Sequence, residues 1–450
     1  MAKKVDRRAF LKTGSHVGAG MMLAGAAGAP AGDAQPQPAA QSPSAGNPVR
    51  VGLVGYGKRG RSLINTLLAL GPDVEIRAVC DVIPERVAEA QGVVEGQGHP
   101  KPEGYSQGEH DFRRLCEQQD IDLVMNAAPW DWHVPICVAA MEAGKHTATE
   151  VPAAVTVDGC WQLVETAEKT GRHCVLMENC CYFRNAMLVL NMVRKGLLGE
   201  MLHAEAGYQH YRIANNVFDA EGNILWCGEH EARRDGCLYP THQVGPVGQW
   251  MNITRGDNFH FLVSMSSKSR GLNIYAEKHF GADHPLATRE YALGDINTTL
   301  IRTQNGLTIT LYHDTQAPRP YDLIYRAQGT NGLYMGTLDK IYIEGRSQPP
   351  HEWEAIEPYY EEYEHPLWKA LQENALGHGH GGGDYIMLYR LMKCLREGIE
   401  PDSDVYDAVA WSVIAPLSEM SVADKSRPVD FPDFTRGKWR ERQPLGIVEA

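Results

Sequence analysis

A glycine turn near the start of the chain has the residue types and the spacing that bind a phosphate group. Gly55, Gly57 and Gly60 follow a short apolar run, Val49–Val54, and precede a segment whose apolar residues recur at helical spacing. Glycine lets the backbone approach a phosphate closely, and the free N–H groups at the start of a helix favour an anion. Asp81 follows the next apolar run, where an acidic side chain would bind the adenosine ribose and repel a 2′-phosphate. The pattern predicts a dinucleotide site that prefers NAD to NADP.

Further polar and aromatic residues end the apolar runs that come next. The segment Trp130-Asp131-Trp132-His133 follows a buried run, at the sheet edge where ligands bind in such folds. It either packs against the ribose and nicotinamide or forms an aromatic cluster that serves the core. Glu150 is either a contact to the nicotinamide ribose or an ordinary strand-end carboxylate. Arg59, inside the glycine turn, either reaches a phosphate or is solvated.

These residues must be positioned by regular elements. Up to Asn179 apolar runs alternate with helical patterns, which predicts a doubly wound parallel sheet of the Rossmann type. Longer alternating strands such as Leu202–Tyr208 then predict an α+β domain built on a largely antiparallel open sheet. Tyr385–Arg396 and Asp404–Val413 are predicted to be helices that return to the first domain. We therefore expect an α/β protein with an NAD-binding domain at 48–180 and a substrate-binding domain at 181–435.

The N-terminal residues are predicted to be a targeting signal and not part of the fold. Arg7-Arg8 precede a weakly apolar stretch, Val17–Ala27, and the small residues Gly28–Ala31 offer a cleavage site. Residues 1–31 thus resemble a twin-arginine signal peptide, with a chance basic terminus as the alternative. Residues 32–47 are rich in Ala, Gln, Pro and Ser and are predicted to be a disordered linker. We expect a periplasmic or secreted protein that is exported folded, with its cofactor already bound.

Composition argues against several kinds of partner. The formal net charge is −13 and no basic stripe is evident, which disfavours nucleic acid and an anionic membrane surface. Beyond the N-terminus no apolar run is long enough to span a membrane. The 10 cysteines show no CxxC spacing and are expected to be mostly buried small hydrophobic residues.

Two other segments combine polar and aromatic residues. His378 and His380 lie in a glycine-rich run, a pattern that can bind a metal. No cluster of Cys, Asp or Glu at ligand spacing accompanies them, so we favour an active-site or structural loop and expect no metal. The segment Tyr359–Glu364 either lines a sugar site or is a solvated surface stretch.

Several motifs of specific sequence lie along the chain. They are Trp130-Asp131-Trp132-His133, Glu178-Asn179-Cys180-Cys181-Tyr182, Asn191-Met192-Val193-Arg194-Lys195-Gly196, Gly207-Tyr208-Gln209-His210, Leu238-Tyr239-Pro240-Thr241-His242, Arg319-Pro320-Tyr321, Glu364-His365-Pro366-Leu367-Trp368 and Gly379-His380-Gly381-Gly382. The domain order resembles that of the glucose–fructose oxidoreductase-like superfamily. Within it, these motifs more closely resemble those of glycoside hydrolase family 109, the NAD-dependent α-N-acetylgalactosaminidases, and the resemblance runs from about Val49 to about Thr435.

The resemblance implies the cofactor, the substrate class and the residues that bind each. The NAD contacts that it implies are Arg59, Gly60, Asp81, Trp130, Asp131, Trp132, His133, Glu150, Val151 and Asn179. The contacts to a small-molecule or glycan substrate that it implies are Tyr208, Tyr239, Pro240, Thr241, His242 and Tyr321. Members of the superfamily often pair through the exposed face of the second sheet, so it also implies a homo-oligomer.

Two positions depart from what the relatives usually carry. Sugar dehydrogenases of the superfamily have Glu-Lys-Pro at the strand end, with the lysine near the hydroxyl that is oxidised, whereas this chain has Val151 there. This argues against net hydride chemistry by the lysine route. Family 109 usually has an arginine directly after Trp226, whereas this chain has Cys227, which cannot make a bidentate contact to sugar oxygens. The sequence leaves open whether Arg233 or Arg234 takes over that contact.

The resemblance further implies hydrolysis with retention. NAD⁺ accepts hydride from sugar carbon 3, the proton on carbon 2 is removed, the glycosidic oxygen is eliminated, water adds, and NADH returns the hydride. Tyr239 and His242 are three apart, so they share a face on one helical turn and are the predicted proton-transfer pair, with a buried core role as the alternative for His242. A periplasmic NAD(P)-dependent sugar oxidoreductase and a sugar-binding protein without catalysis are the alternative functions.

Overall fold

The structure is a computed structural model that describes residues 46–446 and residue 448. The predicted signal peptide and residues 32–45 of the predicted linker lie outside the described residues, so export stays a prediction. In the described part of the chain no helix has both the length and the apolar character needed to cross a membrane. All 10 cysteines fall within it, and each is buried and unbridged.

The first sheet is fully parallel and has the strand order β3-β2-β1-β4-β5-β6. Its central strand β1 is buried on both faces because helices cover both, which explains its continuous apolar sequence. The predicted doubly wound Rossmann sheet is thus confirmed. The strands are β1 (Val49–Val54), β2 (Val74–Cys80), β3 (Glu103–Tyr105), β4 (Leu123–Asn126), β5 (His146–Thr149) and β6 (Cys174–Leu176).

The helices of this part alternate with the strands, as parallel crossovers require. The Thr156 hydroxyl accepts a hydrogen bond from the Gly159 N–H and caps one helix, which ends at Gly171 in the left-handed region. The helices are α1 (Lys58–Ala69), α2 (Pro84–Gly96), α3 (Phe112–Glu117), α4 (His133–Glu142) and α5 (Val157–Thr170).

The second sheet is mixed and mostly antiparallel, in the order β14-β13-β12-β11-β7-β10-β9-β8-β15. Its one parallel pair among the described residues joins β7 and β10. This agrees with the predicted α+β domain. The strands are β7 (Met201–Gln209), β8 (Phe259–Ser266), β9 (Asn297–Thr303), β10 (Thr308–Asp314), β11 (Arg326–Gly329), β12 (Gly332–Met335), β13 (Lys340–Ile343), β14 (Glu354–Ala355) and β15 (Val429–Asp430).

Helices cover one face of this sheet and link it to the first. They are α6 (Arg184–Arg194), α7 (Trp226–Arg233), α8 (Thr241–Trp250), α9 (Gly271–Phe280), α10 (Pro285–Thr288), α11 (Pro358–Tyr363), α12 (Pro366–Ala375), α13 (Gly383–Glu397), α14 (Val405–Ser412) and α15 (Ile414–Ala423). Helix α13 packs on α1, and α14 packs on α5 and β6. On the opposite face Leu202, Met265 and Leu300 are exposed. Pairing of two copies through that face stays a prediction.

The segment Tyr359–Glu364 is solvated on one side only, where Glu361 and Glu362 are exposed. It forms helix α11, in which Tyr359 and Tyr363 are buried and pack in the core, while helix α11 contacts α6. The helical period places these two tyrosines on one side, which a mixed aromatic and acidic composition does not reveal.

A buried ion pair fixes helix α13 against the neighbouring loop. The Arg390 guanidinium donates to both carboxylate oxygens of Asp402, at 3.0 and 2.8 Å, and the Tyr182 hydroxyl donates to the same carboxylate at 3.2 Å. Only 4% of the Arg390 side chain and 7% of the Asp402 side chain are exposed. Because α13 begins close to the glycine turn, this pair also orients residues at the start of that helix.

We expect Asp402→Asn to destabilise the protein by about 3–5 kcal/mol, because the Arg390 cation would stay buried without its carboxylate partner. Thermal unfolding followed by circular dichroism measures the loss. The matched control is Asp424→Asn, which breaks an exposed pair with Arg427 and should cost less than about 0.5 kcal/mol. Equal shifts for the two variants would contradict the structural role assigned to the buried pair.

Candidate active site

A cavity of about 680 Å³ lies at the carboxyl ends of β1, β2, β4 and β5, where the strand order reverses between β1 and β4. In open parallel sheets this switch point is where ligands bind. Of the predicted site residues, those that line the cavity are Gly55, Gly57, Arg59, Asp81, Trp130, Trp132, His133, Glu150, Val151, Asn179, Tyr208, Tyr239 and His242. Those that do not are Gly60, Asp131, Pro240, Thr241 and Tyr321.

The three glycines of the turn have different physical roles. Gly55 has a φ of +90°, and a Cβ there would lie 2.7 Å from the Ala127 carbonyl carbon. A Cβ on Gly60 would lie 2.1 Å from the Gly55 oxygen, so Gly60 permits the close packing of turn and helix without itself facing the cavity. Nothing lies within 4 Å of a Cβ built on Gly57, whose backbone faces open space. Helix α1 has neither a side-chain cap nor an acidic residue in its first turn, which leaves its N–H groups for an anion.

Asp81 stands at the end of β2 and is nearly fully buried. One carboxylate oxygen accepts a hydrogen bond from the Tyr56 N–H at 2.7 Å, and the other accepts one from the Ile83 N–H at 2.9 Å. These backbone bonds hold an anion beside the glycine turn, in the position that suits an adenosine ribose and disfavours a 2′-phosphate.

Arg59 lines the cavity and is paired with carboxylates, so it is not simply solvated, and its contact with a phosphate stays a prediction. Its Nε donates to Glu150 at 2.6 Å, and its two terminal nitrogens donate to Asp384 at 2.6 and 3.0 Å. Burial opposes the charge, but the two carboxylates hold the pKa of this guanidinium above its ordinary value. The same arrangement shows that Glu150 is more than an ordinary strand-end carboxylate, because it fixes the side chain inside the turn.

Asp384 is a central residue of this cluster that the sequence analysis missed. Besides Arg59, it accepts hydrogen bonds from Asn179 Nδ2 at 2.9 Å and from His380 Nδ1 at 2.9 Å. Burial alone would raise the pKa of Asp384, but His380 and Arg59 hold it well below its usual range. The available signal was an acidic residue directly after the glycine-rich run. His380 also lines the cavity, whereas the His378 ring lies 5.2 Å from that of Tyr385 in a tilted arrangement.

The side chains of the segment Trp130–His133 lie in different surroundings. Trp130 packs towards Trp226 and Tyr239, with ring centroids 5.3 and 5.6 Å apart, whereas Trp132 packs on Phe112. His133 is buried, with Nδ1 within hydrogen-bond distance of the Pro152 carbonyl oxygen and Nε2 within hydrogen-bond distance of the Ala128 carbonyl oxygen. The Asp131 side chain is 65% exposed and faces His230. Part of the segment therefore faces the cavity and part serves the core.

An aromatic wall forms the part of the cavity opposite the glycine turn. Tyr208 lies at the end of β7, and its ring centroid is 4.7 Å from that of Tyr239 and 5.3 Å from that of His242. Tyr239 lies two residues ahead of α8, which begins at Thr241 with Pro240 as its cap, so the predicted shared helical turn is only approximate. The Tyr239 and His242 rings nevertheless lie 5.0 Å apart. Flat tyrosine faces of this kind suit the apolar face of a sugar ring.

His242 is oriented by a carboxylate that the sequence analysis quoted only within a motif. Its Nδ1 lies 2.6 Å from Glu178 Oε1, and the Glu178 side chain is 1% exposed. Burial alone would raise the pKa of Glu178, but the charge and the hydrogen bond of His242 lower it below its usual value. An ionised Glu178 requires a proton on Nδ1, which makes Nε2 the basic nitrogen of the ring. Because His242 also lines the cavity, the arrangement favours a site residue over a plain core histidine. The sequence did offer a signal for Glu178, because it lies two residues after the end of strand β6.

The remaining predicted residues frame the site. Pro240 and Thr241 are buried at the start of α8, where they position Tyr239 and His242. Tyr321 is 50% exposed, and its ring lies 4.9 Å from that of His210, outside the cavity lining. Val151 is buried and presents an apolar side chain to the cavity, so no amine stands at that strand end. Direct contact of Pro240, Thr241 and Tyr321 with substrate stays a prediction.

Neither arginine considered as a replacement at Cys227 reaches it. Arg234 is paired with Glu419 at 2.5 Å and also donates to the Val155 oxygen. The Nε of Arg233, which is exposed, donates to the backbone oxygen of Glu229. The guanidinium that contacts Cys227 is that of Arg212, whose terminal nitrogen lies 3.4 Å from the sulfur.

One group of side chains has the composition of a metal site. Potential ligand atoms of Glu178, Cys180 and His242 lie within 4.8 Å of one another. Burial raises the pKa of the Cys180 thiol well above its ordinary value, so the thiol keeps its proton. His242 Nδ1 is already bonded to Glu178. These facts favour a hydrogen-bonded dyad over a metal ligand set.

The residues at the first-domain end of the cavity fit NAD. The Gly57 backbone and the uncapped start of α1 offer N–H donors to a pyrophosphate, and Asp81 offers acceptors to a ribose. Asn179 Oδ1 is buried beside the cavity and accepts no hydrogen bond from the described residues. Such an acceptor needs a donor, which a bound cofactor can supply.

Comparison with known proteins agrees with this site. Residues 49–178 match the model of the oxidoreductase family with an NAD-binding Rossmann fold, and residues 182–441 match the model of the glycosyl hydrolase 109 C-terminal domain. A glycosyl hydrolase family 109 protein of Shewanella pealeana is 44% identical over 99% of both chains. Another from Solibacter usitatus is 46% identical over 98% of this chain and 100% of its own.

Solved structures share the fold. Levoglucosan dehydrogenase in complex with NADH and L-sorbose superposes with a TM-score of 0.67 at 20% identity, over 86% of this chain and 99% of its own. An oxidoreductase domain protein from Kribbella flavida does so with a TM-score of 0.67 at 19% identity, over 86% and 100%. At such identities the similarity concerns the fold. The full-length relatives and both family models show that this chain belongs to glycoside hydrolase family 109 and is an NAD-dependent glycoside hydrolase.

Proposed function

We propose that this protein hydrolyses an α-linked N-acetylgalactosamine or a related sugar with retention, by oxidation, elimination, water addition and re-reduction. The observation that carries the proposal is the His242–Glu178 pair, which faces a cavity built at the NAD-binding edge of the first sheet. Ordinary glycosidases need two carboxylates that flank the bond, whereas NAD-dependent ones do not. Bound NAD would supply the reversible acceptance of hydride from sugar carbon 3. Everything else in the reaction is proton transfer and binding, which fall to side chains.

His242 is the proposed base for the proton on sugar carbon 2. Glu178 holds Nδ1 and stabilises the imidazolium that forms when Nε2 accepts a proton. A ketone at carbon 3 acidifies the neighbouring C–H, so a base of ordinary strength suffices. The Tyr325 hydroxyl donates to the backbone oxygen of His242 and further restrains its position.

Tyr239 is the proposed proton donor to the oxygen on carbon 3. Burial raises the pKa of Tyr239 well above its ordinary value, so the phenol keeps its proton at neutral pH. A protonated phenol can donate a hydrogen bond to a ketone or enolate oxygen, which lowers the barrier to removal of the carbon 2 proton. Val151 leaves no lysine at the strand end to accept the carbon 3 hydroxyl proton when the hydride departs. That proton would instead pass through the Tyr239 hydroxyl to solvent, with Tyr239 giving up its own proton as it accepts the new one, and would return by the same route on re-reduction.

We expect Glu178→Gln to lower kcat by about 100- to 1,000-fold with little change in KM, because an amide neither selects the Nδ1–H tautomer nor stabilises the imidazolium. Steady-state hydrolysis of an aryl glycoside measures this, and Glu178→Asp should recover part of the rate. Glu364→Gln is the matched control. Glu364 is a buried carboxylate like Glu178, but it pairs with Arg184 and lies away from the cavity. An equal loss in both variants would indicate a general structural effect.

We expect hydrolysis of an aryl α-N-acetylgalactosaminide in D₂O to place deuterium on carbon 2 of the released sugar. Elimination removes that proton, and its replacement comes from solvent. Proton NMR follows release and exchange together. Release without exchange would argue against elimination. Oxidised sugar without release would favour a sugar oxidoreductase, and the absence of turnover on a panel of glycosides and sugars would favour a binding protein.

A further inference from the structure

Arg212 is a cation in the sugar-facing part of the cavity that the proposed chemistry does not use. It follows β7 and lines the cavity together with Tyr208, Cys227 and Tyr239. Its guanidinium carbon lies 5.3 Å from the centroid of the Tyr239 ring. The proposed proton donor is therefore next to a fixed positive charge.

The partners of this guanidinium are unusual. A terminal nitrogen contacts Cys227 Sγ at 3.4 Å, and the buried Nε has no hydrogen-bond partner. Among the described residues no carboxylate forms an ion pair with it. Other arginines of the interior do have acidic partners: Arg390 pairs with Asp402 and Arg255 pairs with Asp407. Arg194 also lacks an acid, but its Nε and a terminal nitrogen donate to the backbone oxygens of Leu445 and Gln249. Arg212 has neither an acidic partner nor an acceptor for its Nε among the described residues.

The groups around Arg212 do not supply the missing charge. Burial raises the pKa of Cys227 to about 11, so its thiol is neutral at physiological pH. Glu231 is the acidic side chain that acts on Arg212 from a distance, and burial raises the pKa of Glu231 to about 7 despite that arginine. Glu231 is instead within hydrogen-bond distance of Gln316, at 3.4 Å. Burial opposes the charge of Arg212, but Tyr208, Cys227 and Tyr239 hold the pKa of its guanidinium above its ordinary value. A cation that stays charged without a carboxylate partner can bind an anionic ligand.

Planar oxyanions match a guanidinium best. Arg212 has an unused Nε–H and a terminal N–H group whose contact is a weak sulfur acceptor, so both are ready for a carboxylate. The tyrosine rings beside it offer flat surfaces to a sugar ring. We propose that the preferred substrate is a glycoside whose bound sugar carries a carboxylate, and that Arg212 binds that group. The inference rests on the proposed function and, of the two possibilities named there, selects a related sugar that carries a carboxylate over the neutral N-acetylgalactosamine.

The test compares binding of matched pairs of methyl α-glycosides, a hexuronoside and the neutral hexoside of the same configuration, for the gluco, galacto and manno series. Isothermal titration calorimetry on the NAD-loaded protein measures affinity without requiring turnover. In at least one pair the acid should bind about 10-fold tighter or more, and Arg212→Gln should weaken binding of the acid by about 10-fold more than binding of its neutral partner, which removes the preference. Arg212→Lys should retain part of it. Retained NAD affinity shows that each variant is folded.

Arg233→Gln is the control, because it removes one positive charge from the neighbouring helix α7 at an exposed position. It should leave the acid preference intact. Neutral members that bind as tightly as the acids in all three series would overturn the inference, as would equal losses for both members in Arg212→Gln. Acid binding through Arg212 without hydrolysis of any glycoside would refute the proposed function alone. Hydrolysis with a neutral preference would refute this inference alone.

Discussion

The pairing of Arg59 with two carboxylates is the interaction on which the organisation of the site depends. The guanidinium belongs to the glycine turn, Glu150 to the end of β5 and Asp384 to the start of α13, so one charge joins three distant parts of the chain. Asp384 extends the network to Asn179 and His380. Because a buried charge must be neutralised, displacement of any of these elements would expose the others to a large electrostatic cost. The cluster therefore holds the cofactor end of the cavity in one arrangement.

The charged groups at the sugar end of the cavity are arranged differently. Glu178 is buried and ionised, and its partner His242 can accept a second proton. The pair can therefore act as a base. Tyr239 lies against that pair and stays protonated. Arg212 is a cation with no acid beside it. The cation at the cofactor end is thus fully paired with carboxylates, whereas the cation at the sugar end has no carboxylate partner among the described residues.

The chain shows how a dehydrogenase fold can serve hydrolysis. The strand order and the glycine turn are those of NAD-binding oxidoreductases. At the strand end, however, Val151 stands in place of an amine, and His242 of α8 and Tyr239 just before that helix face the cavity from the second domain. The sheet edge provides the cofactor, and the residues that approach from the opposite side determine which reaction follows.

Much of the fold was readable from the sequence because its signals are local. The glycine turn, Asp81 and the alternation of strands and helices are short-range patterns, and the motif around Tyr239 and His242 identified the family. The partners of these residues were not readable: Glu178 is 64 residues from His242, and Asp384 is 325 residues from Arg59. Whether Arg59 met a phosphate, solvent or a carboxylate depended on which strand and helix ends the topology brought together. By itself the sequence determined the fold, the cofactor and the family, whereas only the tertiary structure decided which buried charges are paired and which, like Arg212, await a ligand.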